Sequence, residues 1–304
     1  MIFIFNILFL IIAPFLIVGI INKTKAFFAG RKGASILQPF FDFIKLIKKG
    51  LVISTTTSWV FKFTPVITVA SVLFASLFAP LAGGFAIIEI PCAFIIFAYS
   101  LNLGKFFSLL SALDTGSSFE GMGASREACF STIVEPAFFI ALASITALTG
   151  NFSFNSLNLI FTNAGIYGYL IIILLSFTLL LMLLTECSRV PVDDPTTHLE
   201  LTMIHEVMVL DNSGPDLAMI SWASAIKIFL YESLIVNLFI PNTLGIKETL
   251  LMYTALLLCL SIVVGLIESS MARFRMSHVF EFIFIMTIMA LLILALATYK
   301  IYGG

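Results

Sequence analysis

Eight stretches of about twenty mainly apolar residues recur along the chain, at roughly 2–21, 65–83, 86–110, 129–149, 166–185, 220–240, 249–267 and 279–299. Coiled as an α-helix, a run of that length matches the hydrocarbon thickness of a bilayer. Lipid offers the backbone no hydrogen-bond partners, so only helices or closed barrels cross it. Composition agrees: 60% of the residues are hydrophobic and 11% are charged, where a soluble domain has roughly half and a quarter. The expected fold class is an all-α membrane protein with about eight transmembrane helices, one polytopic domain over residues 1–304. Gly83-Gly84 separates the second and third stretches and reads as the tight turn of a helical hairpin. The opening MIFIFN has no basic flank and its apolar run meets no small-residue cleavage site, so it reads as a retained first span.

Lys and Arg fix the expected orientation, because they collect on the cytoplasmic side. The first loop, about 22–64, carries Lys23, Lys25, Arg31, Lys32, Lys45, Lys48, Lys49 and Lys62. The third (about 111–128) has Arg126, the fifth (about 186–219) Arg189, and the seventh (about 268–278) Arg273 and Arg275. The opposite side has only Lys247 and Lys300, which predicts both termini outside. Within the first loop, Ile36, Leu37, Phe40, Phe41, Ile44 and Ile47 recur at helical spacing, with Asp42, Lys45, Lys48 and Lys49 elsewhere. That pattern predicts an amphipathic helix lying in the membrane interface. No internal repeat is visible, which leaves an inverted-repeat transporter without support.

The fifth loop is the most informative. It holds Glu186, Asp193, Asp194, Glu200, Glu206, Asp211 and Asp216 beside Arg189, His198 and His205. Pro191 and Pro195 predict an extended Arg189–Asp194 segment, and Thr197-x-x-Glu200 a capping box opening a short helix. His198 and His205, seven apart, would share one face of that helix. Three readings follow: a polar docking surface, a proton relay, or a metal site completed by Asp193 or Asp194. The spacing matches no zinc motif, so docking and relay together are preferred.

Glu89, Lys105, Glu135, Lys227 and Glu232 fall within the predicted spans. A charge at the bilayer centre costs at least ~2.5–3.5 kcal/mol on insertion scales, so function is the default expectation for Glu135 and for a Lys227/Glu232 pair. Glu89 and Lys105 lie nearer span ends, where snorkelling or a structural ion pair accounts for them. The third loop adds Asp114, Glu120, Arg126 and Glu127 around Gly121 and Gly123, without a phosphate-loop pattern. Cys92, Cys129, Cys187 and Cys259 are scattered singly, with no C-x-x-C pair for a cluster or zinc, and read as apolar fillers. Nothing suggests a catalytic dyad or a nucleic-acid surface.

Four segments together resemble one family. Ala29-Gly-Arg31-Lys-Gly, Leu37-Gln-Pro-Phe and Asp42-Phe-Ile-Lys45 are similar to the first loop of the eight-helix subunit 1 of respiratory complex I. Phe119-Glu120-Gly-Met-Gly-Ala-Ser-Arg126-Glu, followed by Glu135-Pro, resembles its third loop and fourth span. Arg189-Val-Pro-Val-Asp193-Asp194 occupies the place of its fifth loop, and Met271-Ala-Arg273-Phe-Arg275 that of its last. The longer run from Arg189 to Glu206 departs from the quinone-reducing enzymes. With Asp114-Thr-Gly-Ser, it resembles instead the membrane-bound hydrogenase branch of formate hydrogenlyase subunit 4 and hydrogenase 4 component C.

The resemblance implies a non-catalytic, multi-pass subunit of the bacterial cell inner membrane that anchors a [NiFe] hydrogenase large subunit and its iron–sulfur small subunit. It would couple them to antiporter-like membrane subunits. The nickel–iron centre and clusters would sit in those partners, none being bound by this chain. On this reading Arg189, Asp193, Asp194, His198, Glu200, His205 and Glu206 meet the hydrogenase module. Glu135, Lys227 and Glu232 belong to an intramembrane proton path, and Arg31, Asp114, Glu120, Arg126, Arg273 and Arg275 support the loops. Two alternatives stand beside it: a quinone-chamber subunit of a complex I-type enzyme, and a free-standing ion transporter.

Overall fold

A computed structural model describes residues 2–81, 86–154, 157, 160, 166–194, 203–241 and 245–303. Among them every regular element is a helix. They are α1 (Ile2–Phe28), α2 (Gln38–Ile47), α3 (Trp59–Ser76), α4 (Ala93–Asp114), α5 (Ser118–Thr149), α6 (Ile166–Glu186), α7 (Gly214–Asn237), α8 (Ile246–Ser270) and α9 (Met276–Gly303), with a 3₁₀ turn at Glu206–Val209. All but α2 are long and apolar enough to cross a membrane, giving the eight expected spans. The Gly83-Gly84 turn and the Thr197–Glu200 capping box, with His198 and Glu200, lie outside the described residues.

The helix ends follow local chemistry. Pro215 opens α7, where a missing N–H costs nothing. Gly150, at φ +73°, closes α5 by donating its N–H to the Thr146 carbonyl. Ser58 caps α3, and Asp114 at the end of α4 accepts from the Ser58 N–H at 2.7 Å and its hydroxyl at 2.9 Å. A carboxylate therefore sits at the positive end of α3. Asp114, expected as a loop support, fastens one helix end to another.

Helix α7 is the centre of the bundle. In the apolar window of α7 67% of residues are buried, against 28% in α8 and in α9, whose outer faces suit lipid. Helices α1, α2, α3, α6 and α8 all pack on α7. The short α2 is laid across α1 and α7 through aromatic contacts, Phe15 to Phe40 and Phe43 at 5.5 and 5.3 Å, and Phe43 to Trp222 at 5.7 Å. Its other residues stay largely exposed, as the amphipathic pattern predicts.

The four odd-numbered connections meet at one end of the bundle. Ser213 bonds Val52 through both backbone groups at 3.0 Å, joining the fifth loop to the first. Glu120 accepts from the Asp211 N–H at 3.0 Å, joining it to the start of α5. Phe274 donates its N–H to the Pro191 carbonyl at 2.9 Å, joining it to the seventh.

Several sequence expectations change. The third loop shrinks to 115–117, because α4 runs to Asp114 and α5 starts at Ser118. Gly121 and Gly123 are helical: a Cβ on Gly123 would collide with the Val207 side chain and the Ile204 carbonyl, so the bare backbone lets the fifth loop nest against α5. The seventh loop likewise shortens to 271–275. Glu89 lies before α4 and is exposed, outside any span. The Arg189–Asp194 segment turns rather than extends: Ser188, at φ +55°, folds the chain back after α6, and the Val192 and Asp193 N–H groups both donate to the Arg189 carbonyl.

Gly265 lets α8 approach α1, since a Cβ there would press on Thr24 and on the Ile21 carbonyl. Gly265→Val should cost about 1–3 kcal/mol through overpacking, read as a lower thermal-unfolding midpoint of the detergent-purified protein. An unchanged midpoint would mean that the two helices part freely.

Candidate functional site

Beneath the converged loops, a line of alternating charges runs from the fifth loop into the helices. Arg273 Nη2 lies 2.9 Å from Asp193 Oδ1, and Asp193 Oδ2 lies 3.6 Å from His205 Nδ1. His205 Nε2 lies 3.2 Å from Glu127 Oε2, and Glu127 Oε1 3.4 Å from Lys105 Nζ. Lys105 Nζ then meets Glu186 Oε1 at 2.7 Å, and Glu186 Oε2 meets Lys227 Nζ at 2.8 Å. Seven groups on α4, α5, α6, α7 and two loops thus form one row.

Lys105, Glu127, Lys227 and Asp193 are held by neutral partners as well. Lys105 also donates to the Ser131 hydroxyl at 3.0 Å, and Ser131 donates to Glu127 at 3.1 Å. Lys227 donates to the Glu186 carbonyl oxygen at 2.8 Å. Asp193 Oδ2 accepts from the Ile204 and His205 N–H groups at 3.2 and 3.0 Å, which pins the two halves of the fifth loop together. Desolvation makes unpaired charges here very costly, so the partners hold one another in place.

Outside the helices the row shifts two ionisations. Burial alone would lower the His205 pKa from 6.5, but Glu127 and Asp193 outweigh it and raise it to about 9, so the imidazole is protonated at neutral pH. Burial would raise Asp193, yet His205, with help from Arg273, holds its carboxyl below the usual carboxylate range.

Two small voids lie along the row. One, of about 10 Å³, is lined by Glu127, Ser131, Glu186 and His205; another of the same size lies between Asn102, Glu135, Glu186 and Tyr231. Both sit at the lower limit for one water molecule, about 10–15 Å³. A larger cavity of about 440 Å³ opens beside the row, between α1, α2, α7 and the fifth loop. Its wall combines Phe15, Phe43, Trp222 and Met208 with Lys105, Glu127, Glu186, His205 and Lys227. Glu135 is half-buried and also lines a crevice of about 510 Å³ with Asn102, Lys105 and Thr132 on the α4–α5 face.

The expected site residues are distributed unevenly. Asp193 and His205 belong to the row, and so does Lys227, which pairs with Glu186. Lys227 and Glu232 are five residues apart, about 140° around a helix, which is why the expected pair does not face itself. Glu232 is fully buried and accepts from the Ser261 hydroxyl at 2.9 Å, near the Ser233–Tyr253 pair. Arg189 and Asp193 are buried, at 6% and 0% exposure, and face inward rather than outward. Arg189 Nη1 meets Glu268 Oε1 at 3.3 Å, and Lys25 meets the other Glu268 oxygen at 2.9 Å, tying the fifth loop to α8 and α1. Asp194 and Glu206 are half-buried. Arg126 donates to the Met203 carbonyl at 2.9 Å, Glu120 holds Asp211, and Arg31 and Arg275 are exposed.

Lys105, Glu127 and Glu186 carry the middle of the row, a role that sequence reasoning misses. A signal for Glu127 exists: Glu127, Ser131 and Glu135 are spaced by four, one stripe of a helix. Ending the third loop at 128 cuts that stripe in two.

Comparison with known proteins agrees with this architecture. A family model described as NADH dehydrogenase matches residues 1–299. Hydrogenase-4 component C of Escherichia coli (strain K12) is 28% identical over 286 residues, covering 88% of this chain and 86% of that protein. Formate hydrogenlyase subunit 4 of the same organism is 26% identical over 272 residues, covering 87% of each. A chain in the structure of the membrane-bound sulfane sulfur reductase, an archaeal respiratory membrane complex, shares the fold with a TM-score of 0.82 at 18% identity, covering 97% of this chain and 98% of its own. The chain therefore belongs to the NADH dehydrogenase family, which is related to subunit 1 of complex I.

Proposed function

We propose that this membrane subunit of a complex I-like respiratory assembly is the anchor and coupling subunit of a membrane-bound [NiFe] hydrogenase of the formate hydrogenlyase or hydrogenase 4 type. The row of alternating charges supports coupling most directly. A passive anchor has no need to gather Lys105 and Lys227, whose side chains are 9% and 15% exposed, around the buried Glu127 and Glu186. Two relatives, at 28% and 26% identity, are a component of hydrogenase-4 and a subunit of formate hydrogenlyase. The proposed setting is a bacterial inner membrane, with both termini outside and the converged loops facing the cytoplasm.

The fifth loop receives the soluble module in this reading, on the surface that includes Asp194 and Glu206, with His198 and Glu200 on the segment between them. Arg189 and Asp193 act from below, holding the loop's shape through Glu268, Arg273 and the Ile204 and His205 amides. The hydrogenase large subunit and the iron–sulfur small subunit carry the redox centres. Cys187 is buried after α6, and burial pushes its thiol up to about 12, so it is protonated at neutral pH. Protons would move along the row and reach antiporter-like subunits through Glu135 on the α4–α5 face, with Glu232 as a further intramembrane carboxyl.

A second reading is favoured by one observation, the cavity of about 440 Å³ walled by aromatic and ionised side chains. A cavity of that size and mixed lining suits a quinone headgroup, and the subunit would then belong to a quinone-reducing enzyme.

Three outcomes are expected. The assembly purified through this chain should evolve hydrogen from reduced methyl viologen and be indifferent to quinone-site inhibitors; inhibition by them without hydrogen evolution would establish the second reading. Changing Asp193 and Asp194 together to Asn should release most hydrogenase activity from membranes into the soluble fraction, and full retention would remove the docking role. The Asp193–His205 brace should also respond to pH. Because the folded His205 pKa is raised, its contribution is complete below about pH 6.5 and fades as pH rises through about 9. Asp193, lowered on folding, contributes above its unfolded value of 3.8 and loses that as pH falls through its folded value. Retention of the soluble module on washed membranes should therefore decline between about pH 7 and 10, whereas a flat profile would contradict the brace.

A further inference from the structure

His205 differs from every other member of the charged row. Lys105, Glu186 and Lys227 are locked in contacts of 2.7–2.8 Å, whereas the imidazole stands between two carboxylates at unequal distances. Its Nε2 is 3.2 Å from Glu127, within hydrogen-bond reach, and its Nδ1 is 3.6 Å from Asp193, beyond it. Nδ1 is buried and makes no hydrogen bond among the described residues. Asp193 cannot close that gap, because three backbone N–H groups and Arg273 already fix it. The ring is the part able to move. It borders both the water-sized void beside Glu127 and the larger cavity.

The charged groups around it come from every neighbouring element. Asp193 and Glu206 belong to the fifth loop itself, Arg273 to the 271–275 link, Glu127 to α5, and behind Glu127 stand Lys105 of α4 and Glu186 of α6. Among the described residues acidic groups touch the ring directly, and the basic ones meet it through those acids. Imidazole is the one side chain in this set that accepts a proton on one nitrogen while giving one up from the other.

We propose that His205 is the transfer point at which a proton passes between the fifth loop and the intramembrane row. This deepens the coupling reading above and rests on it. In the inward direction the doubly protonated ring gives its Nε2 proton to Glu127. The Nε2–H bond breaks, an O–H bond forms on Oε2, and a neutral ring with the proton on Nδ1 remains. Turning of the ring presents the bare nitrogen to the Asp193 side, where it takes up the next proton from water in the adjoining cavity while the Asp193 carboxylate steadies the charge that returns to the ring. Glu127 then releases the proton to water in the void that it shares with Ser131 and Glu186 and is a carboxylate again, so one proton crosses per cycle and no electrons move at this residue.

The test uses the complete assembly in sealed liposomes, with reduced methyl viologen as donor and an entrapped pH-sensitive dye. His205→Gln keeps a hydrogen-bond donor toward Glu127 but cannot titrate, so proton movement per hydrogen evolved should fall at least about tenfold. His205→Ala should lose it too, and added imidazole should restore it in part, which a purely structural role would not allow. Should His205→Gln fail to assemble, Glu127→Gln removes the acceptor and should give the same loss. Undiminished proton movement in either Gln variant overturns the transfer role alone. Hydrogen evolution by the wild-type assembly without any proton movement overturns it together with the coupling reading.

Discussion

Burying an ion in a bilayer-spanning protein is affordable only when its counter-ions come from other elements, and that constraint organises this molecule. Glu186, at the last turn of α6, meets Lys105 of α4 on one oxygen and Lys227 of α7 on the other. Removing either cation would strand a carboxylate where unpaired charge costs several kcal/mol. The row therefore fixes how four helices are set against one another. Its upper end, Glu127–His205–Asp193–Arg273, fixes the fifth loop on top of them.

Close backbone approach makes this geometry attainable. Gly123 allows the 204–207 segment to lie on α5 near Glu127, and Gly265 allows α8 to reach α1 beside the Lys25–Glu268–Arg189 triad. The triad and the row hold the fifth loop through different residues, so the loop is braced from two directions. A loop held this way can carry force or a proton between a docked module and the helices, which a freely hinged linker could not.

Much of this is legible in the amino-acid sequence alone. Helix number, the amphipathic α2 helix and the shared side of the odd-numbered loops follow from apolar runs and Lys/Arg placement, because solvent sorting acts residue by residue. The motif around Arg189–Glu206 likewise points to the hydrogenase relatives. The row itself is not legible. Lys105 reads as a snorkelling or ion-paired lysine with no partner to name, because its counter-ions are 22 and 81 residues away, and no local period records such a meeting. Reading 111–128 as loop hides Glu127 and Glu120 on α5, since glycine and polar residues there serve a tight contact rather than a turn. Arg189 and Asp193 look like surface charges because the loop's acidity suggests exposure, while their partners Glu268 and Arg273 lie about 80 residues on.

The central claim, that the buried row moves protons in step with electron transfer, is tested most directly at Glu186. The measurement is proton movement per hydrogen evolved in liposomes holding the full assembly with Glu186→Gln, its subunit content checked against wild type. The account predicts that the ratio falls at least about tenfold while hydrogen evolution continues. An unchanged ratio would contradict it.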